Sequence, residues 1–335
     1  MLPLATAHLP GITGTIIERR GEEILARQPG ETGDHWWLLV EKDSLATSQA
    51  RAAVARAGQV AEELVGEAGA RDREGRFVQW FSLPVAAVDN PGALRGAGYR
   101  SKMKVLRVTR GHKAIGPAAV AGVRWSLRIK GGNRDGGYRR ARAIMDHLRS
   151  HGFPNYVGLA RFGRSGSLGR YGMLLLKGQN LPARAEAGPG TCLRAAQDLL
   201  FNRWLAQRIQ DGLLDACLPG EVLRTRSGEE LVCDDAEHGR RRLDSWECVQ
   251  MGPLFGAGMP PAGGVAAERE AALLAADGVL PAALGRLEGG RRAARVQPSK
   301  VMVDLSGDDV VLACELPLDT WLDTLLAELI RPPGA

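Results

Sequence analysis

Asp72 sits in the run Gly69-Ala70-Arg71-Asp72-Arg73, and seven residues further on the chain reads Gln79-Trp80-Phe81-Ser82. A glycine-led loop thus sets one carboxylate between two arginines, after a predicted helix and before a predicted strand. Neighbouring positive charge lowers a carboxylate pKa, so this aspartate is expected to stay ionised. An ionised carboxylate held in place can serve as a nucleophile or as a base. A Gly-x-x-Asp loop is also a common surface turn, so its weight depends on the rest of the chain.

A second group of chemistry-bearing residues is Phe153-Pro154-Asn155-Tyr156-Val157-Gly158, which leads into Ala160-Arg161-Phe162-Gly163. Aromatic faces, arginine planes and amides are the groups that hold single-stranded or flipped-out bases. Taken alone, the segment reads more simply as a Pro-Asn turn followed by core aromatics. Trp125 is the lone aromatic in a strand of Val, Arg, Ser, Leu and Ile. It is either an inward core residue, which the spacing favours, or a stacking platform beside Arg124 and Arg128.

Other chemistries find little support. The six histidines are scattered, and His147 and His151, at helical i, i+4 spacing, lack the glutamate of a His-Glu-x-x-His zinc motif. The five cysteines are widely spaced with no Cys-x-x-Cys. They are read as buried free thiols, not as a disulfide framework or a zinc site. Gly131 to Gly137 is glycine-rich but lacks a Gly-Lys-Ser/Thr ending, so it reads as a connection and not as a phosphate loop.

The partner is suggested by charge. Net charge is +6, yet Pro91 to Lys177 holds 19 Lys and Arg against Asp135 and Asp146. The remainder of the chain is left with a clear acidic excess. Such segregation points to a polyanion, nucleic acid above all. At 335 residues, 44% hydrophobic and 24% charged, the chain has the composition of a globular protein of one or two domains. No apolar run reaches the roughly 18 residues of a membrane span, and the N-terminus carries no signal-peptide pattern. A cytoplasmic location, with no membrane partner, is expected.

Several elements would have to position these residues. His35 to Val40 and Phe77 to Leu83 read as buried strands, the second stopped by Pro84. Ala46 to Gly66 reads as a helix with Val54, Ala57, Ala61, Leu64 and Val65 on its apolar stripe. Lys104 to Val108 and Val123 to Ile129 alternate basic and apolar residues, which turns the arginines and lysines to one face. Asp135 to His151 reads as a basic helix ending at Gly152, and Gly190 to Leu214 as a long helix. Its buried side is expected to hold Leu193, Ala196, Leu200, Trp204, Leu205 and Ile209. A closing hairpin, turning at Ser306 to Asp309, precedes an amphipathic helix from Asp319 to Ile330. The late strands match the first half in texture, which suggests a domain interrupted by an insertion.

Together these segments resemble the tRNA pseudouridine synthase D (TruD) family, in family order over nearly the whole chain. Gly69-Ala70-Arg71-Asp72 is similar to its Gly-x-Lys-Asp loop, and Gln79-Trp80 to its Gln-Trp. Phe153 to Gly158 with Arg161-Phe162-Gly163 resembles its Pro-Asn-Tyr-Phe-Gly…Arg-Phe-Gly signature. Leu200-Phe201-Asn202 and Gly252-Pro253-Leu254-Phe255-Gly256, followed by Arg269-Glu270, match two further segments. Three departures stand out. Arg71 replaces the family lysine. Gly122-Val123-Arg124-Trp125 replaces Gly-Asn-x-Phe. The N-terminal basic motif is degenerate, so its basic residue could be Arg19 or Arg20.

The resemblance implies an α/β (α+β) protein. Its catalytic domain would be a mixed, largely antiparallel sheet built from residues 1–152 and 295–335. A family-specific insertion, 153–294, would be hinged to it across a cleft. It implies isomerisation of uridine to pseudouridine in tRNA, usually at uridine 13 of the D arm, by a monomer. The glycosidic bond is broken and remade as a C–C bond without redox chemistry, so no metal or nucleotide cofactor is needed. Asp72 would be the nucleophile, or the base that yields a glycal. On the substrate side the resemblance implies Trp125, Phe153, Asn155, Tyr156, Arg161, Arg71, Gln79 and one of Arg19 and Arg20. A silent RNA-binding or RNA-folding module on the same scaffold is the alternative, and a metal nuclease would need more clustered carboxylates than the basic half offers.

Overall fold

A computed structural model describes residues 2–71, 74–183 and 185–331. Asp72 and Arg73 lie outside the described residues. By internal contacts the chain forms two units, one of residues 12–142 and 298–319, the other of 1–11, 143–297 and 320–335. This division places both chain ends with the second unit.

The first unit is an eight-stranded sheet. In chain order it contains β1 (Thr15–Leu25), β2 (His35–Asp43), helix α1 (Thr47–Gly58), β3 (Gly66–Glu67), β4 (Arg76–Pro84), β5 (Met103–Gly111) and β6 (Val120–Lys130). The hairpin Ser299–Ser306 and Asp309–Pro317 completes it. Across the sheet the order is hairpin, β6, β1, β4, β2, β5, with β3 on β4. Among the described residues, only β1 and β4 pair in parallel; the other neighbours are antiparallel. The sheet is therefore mixed and largely antiparallel, as the family resemblance implied.

β4 is buried on both faces from Phe77 to Leu83, which suits its apolar, aromatic run. The hairpin turn is tight: Ser306 pairs with Asp309, leaving Gly307-Asp308 as a two-residue loop. Gly307 has φ +63°, a conformation glycine adopts without steric cost. The helix expected over Ala46 to Gly66 stops at Gly58 instead. Gln59 turns left-handed (φ 54°) and its N–H caps the carbonyls of Ala55 and Arg56. A single 3₁₀ turn follows at Glu62–Leu64, and Leu64 is 46% exposed, so the apolar stripe breaks there.

Register builds transverse rows on one face of the sheet. Met103 lies opposite Lys42, Lys42 opposite Phe77, Phe77 beside Gly21, and Gly21 opposite Trp125. A Cβ on Gly21 would lie 2.4 Å from the Phe77 ring and 2.9 Å from that of Trp125. The glycine lets the two rings close over the strand, edge to face at 5.6 Å. One step along, Val40 is opposite Gln79 and Glu23 opposite Val123. The other face carries ion pairs: Arg124 with Glu315 (2.6 Å), Arg128 with Asp309 (2.7 Å) and Arg20 with Glu41 (3.9 Å). The basic residues of β6 thus point away from the Gly21–Trp125 row, as strand alternation requires.

Helix α2 (Gly137–His151) carries the chain from the first unit into the second. There, α3 (Leu168–Leu176) and α4 (Pro189–Gln210) pack around Tyr156, Phe162 and Phe255. The expected buried side of α4 is found, with Leu193, Ala196, Leu200, Trp204 and Leu205 at 8% exposure or less and Ile209 partly buried. A four-stranded sheet and the short pair Phe153–Pro154 with Arg295–Val296 complete the unit. All five cysteines are buried and free.

Candidate active site

The chain leading to position 72 is clamped by three elements. Gln79 on β4 is fully buried; its Nε2 donates to the Gly69 carbonyl (2.9 Å) and its Oε1 accepts from Thr47 Oγ1 (3.1 Å). Thr47 begins α1, and its hydroxyl oxygen also accepts the Arg71 N–H (3.0 Å). Glu23 on β1 accepts from Arg71 Nε (2.7 Å) and from the Trp80 backbone N–H (2.8 Å). Arg71 donates back to the Ala68 carbonyl (3.0 Å). Gln79 and Glu23 each stand two residues beyond Phe77 and Gly21. The clamp therefore ends one side-chain row from the Phe77–Gly21–Trp125 row.

Burial and neighbouring cations compete at the carboxyls of this region. Burial pushes the Glu23 carboxyl upward, while the Arg71 guanidinium and the Trp80 N–H pull it back. Burial also raises Glu67, against the lowering pull of Arg51, Arg71 and Lys42. Around the aromatic row the cations are Lys42, 1% exposed and 5.4 Å from the Phe77 ring centre, and Arg19, 5.4 Å from that of Trp125. Arg19 shares its strand face with Gly21 and Glu23, whereas Arg20 turns to Glu41. Among the described residues, no group of three or more His, Cys, Asp or Glu is placed to hold a metal.

Arg71 and Gln79 were expected among the substrate contacts. Their polar atoms are engaged in the loop clamp, with Gln79 wholly inside. Trp125 is 6% exposed, a packed ring beside Phe77. Glu23, Thr47 and Lys42 were missed. Glu23 lies in a run too charged to show a buried face, and nothing in the spacing separates Lys42 from a surface lysine.

The Phe153 to Arg161 segment lies in the other unit. Phe153, Asn155 and Tyr156 are 0–3% exposed. Asn155 Nδ2 donates to the Ala293 carbonyl (3.1 Å) and its Oδ1 accepts from Arg292 (2.9 Å). The Tyr156 hydroxyl donates to the Pro3 carbonyl (3.2 Å), and burial pushes its pKa up, so it stays a neutral donor. Arg161 is 43% exposed and pairs with Asp198.

The clamp has a measurable cost if broken. Glu23→Ala is expected to leave Arg71 beside a buried void and to destabilise the protein by about 3 kcal/mol, the lower end for breaking a buried pair. Urea unfolding checks it, and activity should fall further than stability because the loop loses its anchor.

A solved chain from Methanosarcina mazei, assigned as tRNA pseudouridine synthase D, shares the fold, with TM-score 0.74 at 18% identity over 99% of this chain and 96% of that one. That sets the fold class, an α/β protein with a mixed sheet like that of the pseudouridine synthase. Sequence narrows it. A model of the family described as tRNA pseudouridine synthase D (TruD) matches residues 5–183 and 192–329. The tRNA pseudouridine synthase D of Anaeromyxobacter dehalogenans is 36% identical, over 98% of this chain and 96% of its own length. That of Thermus thermophilus is 29% identical over 98% and 92%. The chain belongs to the tRNA pseudouridine synthase D (TruD) family.

Proposed function

We propose that this protein isomerises uridine 13 in the D arm of tRNA to pseudouridine, with Asp72 as the group that attacks or deprotonates the ribose. Family membership makes it a tRNA pseudouridine synthase, an isomerase. The observation that carries the finer reading is the clamp: Gln79, Thr47, Glu23 and Arg71 hold the backbone just before one carboxylate, next to an aromatic row. The reaction breaks the N1–C1′ bond, turns the uracil and joins C5 to C1′; the C5 proton leaves and N1 ends protonated. No electrons are exchanged with a second substrate, so the protein need supply only the carboxylate, its setting and a base-binding surface.

Strand alternation favours Arg19 over Arg20 as the basic neighbour of Asp72. The target uridine must leave its stack, at a cost of a few kcal/mol, and an aromatic face returns about 1–3 kcal/mol per base. Trp125 is the candidate face, which requires the Arg19 guanidinium to yield its place over the ring. The unit with the eight-stranded sheet would be the catalytic domain, and the one carrying 153–294 the family-specific domain. Within the latter, the half-exposed Arg161 is the proposed RNA contact. We take the protein to act as a monomer on tRNA without a cofactor. Purified protein with an unmodified tRNA transcript tests the reading: carbodiimide treatment and primer extension should give a stop at position 13, and its absence would reject the assignment.

Salt dependence tests the RNA path. Lys130, Arg134 and Arg139 are exposed, whereas Arg124 and Arg128 face Glu315 and Asp309. Removing the first three charges should reduce the slope of log affinity against log salt by about 0.9 for each phosphate left without its cation. Removing those of Arg124 and Arg128 should leave the slope nearly unchanged. Filter binding across a salt series reads both.

A further inference from the structure

The turn Tyr99-Arg100-Ser101-Lys102 leads into β5, an edge strand of the eight-stranded sheet. The Lys102 N–H closes it on the Tyr99 carbonyl (2.8 Å), with φ 43° at Arg100 and 57° at Ser101. Among the described residues this is the only place where two consecutive non-glycine residues are left-handed. Such turns favour Asn and Gly, because a Cβ makes the left-handed conformation costly. The surroundings impose it. Tyr99 packs on the core beneath α1, and Gln49 Nε2 reaches its hydroxyl (3.4 Å). The Asp43 N–H donates to the Lys102 carbonyl (2.8 Å). Backbone strain that the fold holds in this way is typical of places where a side chain must be presented. Here the presented side chains are cations. Arg100 and Lys102 are exposed, and among the described residues neither has a carboxylate partner, whereas Lys104 pairs with Glu41 (3.0 Å). Met103, next in the chain, ends the row that runs through Lys42, Phe77 and Gly21 to Trp125. Three strand spacings of about 4.8 Å put Gly21 roughly 14 Å from the β5 edge. Backbone flanking an everted nucleotide spans that distance.

We propose that the Tyr99–Lys102 turn is a phosphate clip for the tRNA substrate, in which Arg100 and Lys102 bind the backbone beside the target nucleotide at the β5 end of the row. This inference rests on the reading of the Phe77–Gly21–Trp125 row as the place that receives the base. Phosphate contacts set register and orientation without reading sequence. The clip therefore positions the tRNA and does not select it. Cations on an edge strand also serve to block edge-to-edge pairing. That role needs charge anywhere along the edge and gives no reason for a strained turn braced against α1.

Filter binding of an unmodified tRNA transcript over a salt series, with thermal melts, tests it in the full-length protein. In the double variant Arg100→Asn, Lys102→Gln the slope of log affinity against log salt should fall by about 0.7–0.9 for each lost phosphate, and affinity at physiological salt by about tenfold or more. Ser101→Gly keeps both cations and relieves the backbone, so it should melt above wild type at the wild-type slope. A folded double variant with the wild-type slope would overturn the proposal and leave the cations as edge protection. A Ser101→Gly slope that falls as far would overturn it too, since the charges would not be the agents. Ser101→Cys carrying an azidophenacyl crosslinker gives a second reading with both cations in place. The five native cysteines are buried, which directs the label to position 101. Crosslinks should map within a few nucleotides of the target uridine; crosslinks confined to another arm of the tRNA, or none, would overturn the proposal. The underlying reading is tested apart from the turn by 4-thiouridine at the target position. Its crosslink should fall in the wild-type peptide that carries Trp125, and one in the other unit would sink that reading.

Discussion

Asp72→Asn is expected to abolish pseudouridine formation while leaving tRNA affinity within a small factor of wild type. The exchange keeps size and shape but removes the charge that attacks the ribose or takes its proton. The anchors before position 72 remain, since Gln79, Thr47 and Glu23 bond Gly69 and Arg71 and do not depend on an aspartate at the next residue. Fold and RNA surface should therefore survive. Single-turnover assays beside filter binding separate the two effects. Residual turnover within about tenfold of wild type would move the chemistry to another residue, because a group acting as nucleophile or base cannot be removed so lightly. A metal chelator should leave the wild-type rate unchanged, and a clear loss would revive the metal-dependent alternative.

The second large effect is expected at Trp125. Its ring is buried against Phe77, in the gap Gly21 leaves, with Arg19 over its face. Trp125→Ala should destabilise the first unit by about 3–5 kcal/mol, the usual cost of emptying a large aromatic site. Trp125→Phe should recover much of the stability, since a ring still fills the gap. Urea melts paired with single-turnover rates distinguish packing from catalysis. If Trp125→Phe folds normally yet has lost activity, the indole itself serves the base. If Trp125→Ala melts like wild type, the packing account of this row fails.

The sequence made some of this legible and hid the rest for physical reasons. β2, β4 and β6 were readable because apolar and aromatic residues recur where a buried face needs them. The closing hairpin was readable because Ser306-Gly307-Asp308-Asp309 is turn chemistry. The central strand β1 was not. Its stretch Glu18-Arg19-Arg20-Gly21-Glu22-Glu23 looks like a solvated loop. It can lie inside the sheet because its charges are met there: Glu23 by Arg71, Arg20 by Glu41, and Arg19 by the face of Trp125. Those partners come from distant parts of the chain, so no local pattern reveals them.

The site shows the same division. The run from Gly69 to Arg71 drew notice because its residue types are unusual together. The residues that hold it did not, because Thr47 and Glu23 act through single hydrogen bonds that leave no periodicity. Arg71 and Gln79 were noticed through a motif but expected to meet substrate, whereas their side chains fasten the loop. A motif preserves position without saying which way a side chain faces. Phe153, Asn155 and Tyr156 show this too, for the simpler reading of that segment as a turn leading into core aromatics describes their burial.

The most direct test of the central claim is a carbodiimide map of pseudouridine in total tRNA from cells lacking this protein. Cells complemented with wild type or with Asp72→Asn complete the comparison. The account predicts loss of the position 13 signal without the protein, its return with wild type and no return with Asp72→Asn. A position 13 signal that persists without the protein, or that Asp72→Asn restores, would contradict it.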